Sequence, residues 1–184
     1  MNAEDCELSH LYSENTLPSQ PHSSISYLEG VVSNNIVGAD QPMTDCVFCQ
    51  ILDGKLEASL VYSDDKAVAF MDIQPVNPGH TLVIPRTHAP FMSELDEESG
   101  AHMFKVGMRV SGAVRKSGVR CEGVNLHLAD GEIAGQEIFH VHLHVIPRFT
   151  GDWVGLKFGA AHKNRPSRES LNGVAQQIRS AMLR

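Results

Sequence analysis

No stretch of the chain approaches the roughly 18 uncharged apolar residues of a membrane-spanning helix. Cysteine is scarce: Cys6, Cys46, Cys49 and Cys121 are all there is in 184 residues. The chain opens without a basic n-region or an apolar h-region, so it does not read as a secreted protein, and a disulfide framework is a poor reading. Positive charge is missing from residues 1–42, which hold six acids (Glu4, Asp5, Glu7, Glu14, Glu29, Asp40) and no lysine or arginine. A mitochondrial transit peptide would be the reverse, Arg-rich and acid-poor. These absences predict a cytoplasmic protein. The formal net charge of −7 argues against a general binder of nucleic acid or anionic membrane.

The acidity is local. Residues 1–42 sum to −6, while residues 43–184 carry 16 acids and 15 bases and sum to −1. The first segment is rich in Ser, Asn, Pro and Gln and keeps no period of 2 or 3.6, so it reads as a low-order acidic extension. Residues 43–184 read as one domain.

That domain alternates short strands with helices. Asp45 is a candidate N-cap and Gly54 a candidate C′ residue of a short helix. Leu60 to Ser63 and Ala67 to Asp72 read as strands around an Asp64-Asp65-Lys66 turn, and His80 to Pro85 as a third strand. Asp96 opens a long helix whose Met103, Val106, Val110, Ala113 and Val114 follow helical spacing, with Gly118 to stop it. Strands follow over Gly123 to Leu128 and His140 to Ile146. Ser167 caps a last helix with Leu171, Val174 and Ile178 on one face. Strands in hairpin order with two main helices predict an α+β fold with an antiparallel sheet.

The segment His140-Val141-His142-Leu143-His144-Val145-Ile146 carries the most information. In a strand, alternate residues share a face, so three imidazoles line one side while Val141, Leu143 and Val145 enter a core. Neutral imidazoles offer nucleophiles and metal ligands. One metal across all three rings is a further possibility. Upstream, the glycines of Asp130 to Gln136 permit tight turns whose N–H groups approach an anion. Cys46 and Cys49 form a C-x-x-C pair, ambiguous between metal and redox use. Zinc would need two more ligands.

Here the sequence resembles the histidine triad (HIT) superfamily. The strand matches its His-φ-His-φ-His-φ-φ signature, where φ is apolar. The likeness extends through Ala134-Gly135-Gln136, Asn77 to Pro85, Phe70 to Ile73 and Cys46 to Cys49, covering roughly residues 45 to 155. The resemblance implies a two-layer HIT-like fold, an antiparallel sheet packed with a long central helix and a C-terminal helix, and commonly a homodimer. It implies nucleotidyl hydrolase or transferase chemistry on an adenosine (purine) nucleotide conjugate, such as a phosphoramidate or a dinucleoside polyphosphate. His142 would be the nucleophile that forms a covalent nucleotidyl-histidine. His144 and donors around Gly135 and Gln136 would stabilise phosphoryl oxygens. Asp72 would bind the ribose. Phe48, Ile51, Phe70 and Ile73 would wall the base, with His80 in the same site. Cys46, Cys49, His88 and His140 would hold a structural zinc ion. Two positions depart from the family pattern: Ala129 replaces a polar side chain, and Glu137 replaces a hydroxyl residue near the leaving group. They give weight to an alternative, a nucleotide-binding regulatory or scaffolding protein with little catalysis.

Overall fold

The structure, a computed structural model, describes residues 45–152, 154–155 and 165–182. The acidic extension 1–42, Lys157 and Lys163 lie outside these residues, as do Cys6, His10, His22 and His162. Among the described residues no helix is long and apolar enough to cross a membrane.

The fold is α+β. Helix α1 (Val47–Leu52) precedes strands β1 (Leu60–Ser63), β2 (Ala67–Met71) and β3 (Thr81–Pro85). Helix α2 (Glu97–Val114) leads to β4 (Gly123–His127) and β5 (Leu143–Arg148), and α3 (Arg168–Met182) ends the described chain. The five strands form one antiparallel sheet in the order β1-β2-β3-β5-β4.

Local chemistry accounts for most boundaries. The Asp96 carboxylate accepts the Ser99 N–H at 2.8 Å, and Glu97 and Glu98 complement the positive end of the α2 dipole. Ser167 caps α3 by accepting the Ser170 N–H at 3.1 Å. The β1–β2 turn forms because Asp64 Oδ1 accepts the N–H groups of Lys66 and Ala67 at 2.9 and 2.8 Å. Gly54 closes α1 at φ 71°, donating to Ile51 O at 3.0 Å. The N-cap of α1, however, is Cys46 rather than Asp45, and its thiol makes no cap bond. That thiol faces an imidazole instead, as described below.

The strand expected from His140 begins only at Leu143. Pro85 has no N–H to offer a ladder partner, and its carbonyl accepts the His140 ring Nε2–H at 3.0 Å. Val141 N–H donates to Ala89 O at 2.8 Å, beyond the end of β3. Residues 140–142 are therefore tied outside the sheet ladder.

Strand alternation separates two cores. Ala67, Ala69, Val83, Leu143 and Val145 pack against Met103, Val106 and Val110 of α2. The intervening Val68, Phe70, Leu82 and Ile84 pack with Cys46, Phe48 and Cys49 at α1 on the other face. Gly107 lets α2 sit close: a Cβ there would lie 2.6 Å from Leu143 Cδ2. On α3, Leu171, Val174 and Ile178 are all exposed.

Candidate functional site

A cavity of about 550 Å³ opens on the α1 face of the sheet. Its apolar wall includes Phe48, Ile51, Phe70 and Leu82, and its polar wall His142, His144, His80 and Asp72. Phe48 and Phe70 are buried and meet edge to face at 5.6 Å between centroids. Ile73 also borders the cavity but is 93% exposed, so it is a rim rather than a wall.

The hydrogen-bond partners of the imidazoles fix their tautomers. His142 Nδ1–H donates to the carbonyl of His140 at 2.7 Å, which leaves Nε2 as the lone-pair nitrogen of a ring lining the cavity. The Val76 N–H donates to His80 Nδ1 at 3.2 Å, so His80 carries its proton on Nε2. That proton goes to His144 Nδ1 at 2.9 Å, which leaves His144 Nε2–H as a donor. The backbone therefore sets one acceptor and one donor nitrogen on neighbouring rings, whose centroids are 4.9 Å apart. Burial lowers the pKa of His142, opposed by the His140 carbonyl. Burial and then the neighbouring imidazoles hold His144 at about 4, and burial, opposed by Asp72, lowers His80. All three rings are neutral at pH 7.

Asp72 stands at the end of β2. Its Oδ1 accepts the Gln74 N–H at 2.8 Å, and its Oδ2 lies 3.4 Å from His80 Nδ1. It both caps the turn and lines the cavity. Gly135, at φ 91°, also lines it. Gln136 does not. Its Oε1 accepts the Gly131 N–H at 2.7 Å, and its Nε2 donates to Pro90 O at 2.8 Å and Ile138 O at 3.2 Å. The side chain is buried and fully engaged in bracing its own loop. Arg148 is likewise held, by Asp152 at 2.6 and 2.8 Å.

His140 turns away from this cavity. Its Nε2 is on Pro85 O, so its Nδ1 lone pair points among Cys46, Cys49 and His88. Cys46 Sγ and Cys49 Sγ lie 3.6 and 3.7 Å from it, and His88 Nδ1 lies 3.3 Å away. Cys49 Sγ to His88 Nδ1 is 3.3 Å. A tetrahedral zinc with Zn–S of about 2.3 Å and Zn–N of about 2.0–2.1 Å requires N···N near 3.3 Å and S···N near 3.5 Å. The donor set and its spacing fit that ion. With no counter-charge, burial and then Cys46 push the Cys49 thiol up to about 12. Since His140 belongs to this cluster and His142 to the cavity, the described triad does not converge on a single metal position.

Two cavity residues carry no signal that sequence reasoning could assign to a role. His127 of β4 pairs in register with His144, and their rings are 5.8 Å apart. Its only signal is the parity of a neighbouring strand, which requires knowing the register. Glu57, in the connection after α1, has no motif to announce it.

A family model described as HIT domain matches residues 53–151. An uncharacterized HIT-like protein of Borreliella burgdorferi is 42% identical over 118 residues, covering 64% of this chain and 85% of that protein. The adenylylsulfatase HINT3 of Arabidopsis thaliana is 38% identical over 104 residues, 56% of this chain and 52% of that one. The crystal structure of a Zn-bound histidine triad family protein from Mycobacterium smegmatis aligns with a TM-score of 0.60 at 38% identity, covering 76% of this chain and 99% of that one.

Proposed function

The chain belongs to the HIT domain family, and from that premise we propose that it is a nucleotidyl hydrolase acting at the α-phosphorus of an adenosine (purine) nucleotide conjugate, such as a phosphoramidate or a dinucleoside polyphosphate. The observation that carries this reading is the 2.7 Å bond from His142 Nδ1–H to His140 O, which leaves Nε2 unprotonated on the cavity side. Nε2 attacks phosphorus in line, and the bond to the leaving group breaks with its electron pair. Water then displaces Nε2 from phosphorus and releases the nucleoside monophosphate. One difficult displacement becomes two easier ones. His144 Nε2–H donates to a phosphoryl oxygen, held in that tautomer by His80. Asp72 Oδ2 takes the ribose hydroxyls, and the base lies against Phe48, Ile51 and Phe70, with Ile73 at the rim. Gly135 offers backbone approach to the phosphate, while Gln136 acts as a positioning residue through its loop.

The test is the covalent intermediate. His142→Asn folds and binds AMP but loses about three orders of magnitude in turnover, beyond a single acid–base contribution. Labelled adenylate recovered on His142 of the wild type supports the reading. A His142→Asn protein with a tenth of wild-type turnover overturns it. The engagement of Gln136 by its own loop favours a second reading, a nucleotide-binding regulatory or scaffolding protein with little catalysis. Stoichiometric AMP binding without turnover of any adenylate conjugate would select it.

Zinc held by Cys46, Cys49, His88 and His140 is a structural ion on this proposal, tying α1 to the segment that carries His142. The domain is residues 43–184, with 1–42 as an acidic extension. Reduced Cys46 and Cys49 suit a cytoplasmic location. A homodimer would use the outer face of α2, where Phe104 and Met108 are exposed, beside the edge strand β4. Wild type then sediments as a dimer and Met108→Glu as a monomer. A monomeric wild type removes the dimer from the proposal.

A further inference from the structure

Asp72 presents its two oxygens to different partners. Oδ1 accepts the Gln74 N–H at 2.8 Å, while Oδ2 lies 3.4 Å from Nδ1 of the buried His80 ring. The same Nδ1 accepts the Val76 N–H at 3.2 Å. A nitrogen of a neutral imidazole holds either a lone pair or a proton, so these two neighbours make opposite demands. Val76 needs the lone pair there, and Asp72 Oδ2, an acceptor, needs an N–H. As the ring stands, two lone pairs face each other across 3.4 Å, and burial strengthens that repulsion.

The surrounding backbone holds the heavy atoms in place. His80 O accepts the Asp72 N–H, and Asn77 O accepts the His80 N–H, both at 3.0 Å. The buried Asn77 amide donates to Pro147 O at 2.8 Å and to Asp152 Oδ2 at 3.0 Å. Protons can move where these atoms cannot. The far nitrogen of His80 passes the choice on, since Nε2 lies 2.9 Å from His144 Nδ1.

Two proton arrangements therefore run along one chain of atoms. In the first, the Val76 N–H donates to His80 Nδ1, His80 Nε2–H donates to His144 Nδ1, and His144 Nε2–H is a donor. In the second, His80 Nδ1–H donates to Asp72 Oδ2 and His144 Nδ1–H donates to His80 Nε2. His144 Nε2 is then a lone pair, which repels a phosphoryl oxygen. To pass from first to second, His80 Nδ1 takes a proton from solvent, His80 Nε2 hands its own to His144 Nδ1, and His144 Nε2 returns one to solvent. Both rings stay neutral, and each arrangement satisfies one neighbour of Nδ1 and forfeits the other.

Resting on the nucleotidyl-histidine reading above, we infer that Asp72, His80 and His144 form a tautomer relay through which ribose binding arms the phosphate donor. Hydroxyls that donate to Asp72 Oδ2 relieve its demand on His80 Nδ1 and select the arrangement with a proton on His144 Nε2. The ribose hydroxyls thus become a specificity element for turnover as well as for binding. His80 is a positioning residue that acts through His144. A 2′,3′-dideoxy nucleotide, with no hydroxyl to offer, leaves the second arrangement populated.

The experiment reads the proton positions. In protein labelled with nitrogen-15 histidine, two-bond proton–nitrogen correlations distinguish Nε2–H from Nδ1–H rings, and single His→Gln spectra assign His80 and His144. The free protein is expected to show both rings averaged between the two tautomers. Saturating AMP moves both to Nε2–H, and saturating 2′,3′-dideoxy-AMP leaves them as in the free protein. Asp72→Asn, whose amide can donate to His80 Nδ1, shows Nε2–H on both rings with either ligand. For a conjugate that is turned over, kcat of its 2′,3′-dideoxy form falls about tenfold to a hundredfold, toward the loss of one oxyanion donor, beyond any rise in KM. Tautomers that are alike with AMP and dideoxy-AMP overturn the inference. So does a His80 protonated on both nitrogens in the AMP complex, or a ribose-dependent shift that survives in Asp72→Asn. The comparison of the two ligands needs no variant, so it decides the matter even where Asp72→Asn does not fold. Turnover through His142 without a tautomer shift sinks the relay and upholds the underlying reading. A tautomer shift with AMP in a protein that turns over no conjugate supports the relay and removes the hydrolase reading. A protein that binds no AMP overturns both.

Discussion

The two faces of the sheet use the same strands to opposite ends. Beneath α2, Val83, Leu143 and Val145 meet Met103 and Val106 in an apolar core. On the α1 face, the residues between them include His142 and His144, buried or half-buried among other imidazoles. Strand parity alone separates the two, because successive side chains point to opposite sides. The α2 face provides apolar burial, about 25 cal/mol per Å² removed from water. The α1 face accepts the cost of neutral rings held below their ordinary pKa, and its rings are held by backbone carbonyls and N–H groups rather than by packing alone. Stability and reactivity are thus separable by mutation, residue by residue along one strand.

The strongest test of that separation is at the thiol–imidazole cluster. Cys49→Ser, or chelation of the wild type, is expected to release one equivalent of zinc and cost about 3 kcal/mol or more, because metal binding is folding free energy at such sites. Metal analysis beside thermal melts checks both. Native-purified protein with under about one-tenth equivalent of zinc refutes the site. On the other face, Gly107→Ala drives a methyl toward Leu143 and is expected to cost about 1–3 kcal/mol by overpacking. Turnover per folded molecule stays within about twofold of wild type, since Leu143 faces away from the cavity. An unchanged melting temperature would mean that α2 shifts freely over the sheet. The smallest effect is that of pH. His80 and His144 have lowered pKa values in the folded protein, His144 to about 4, so the unfolded chain binds more protons as pH drops below about 6.5. Their contribution is fully present above about 6.5 and is lost as pH falls toward 4. A melting temperature lower by a few degrees at pH 5 than at pH 7.5 is expected. A flat profile would mean that these rings are protonated in the native state.

Much of the fold and of the site is legible in the sequence. Asp96 and Ser167 read as caps because their side chains act within three residues, and both do so. The parity of residues 140–144 reads correctly because period 2 survives even where the ladder does not. Cys46, Cys49, His88 and His140 fall together because the family resemblance spans all four. Long-range partners are not legible. Nothing in Gln136 announces that Pro90 will take its amide, 46 residues away. The late start of β5 depends on how Pro85 answers His140, a contact across 55 positions. His127 joins the cavity only through the register of β4 with β5.

The detachment of residues 140–142 from the ladder has an evolutionary consequence. His140 answers to Pro85 and Val141 to Ala89, while His88 stands in the cluster beside them. The backbone of His142 therefore hangs from the connection that follows β3. A change in the length of residues 86–89 would reposition His142 while the five strands stayed as they are, so evolution could retune this face without rebuilding the scaffold.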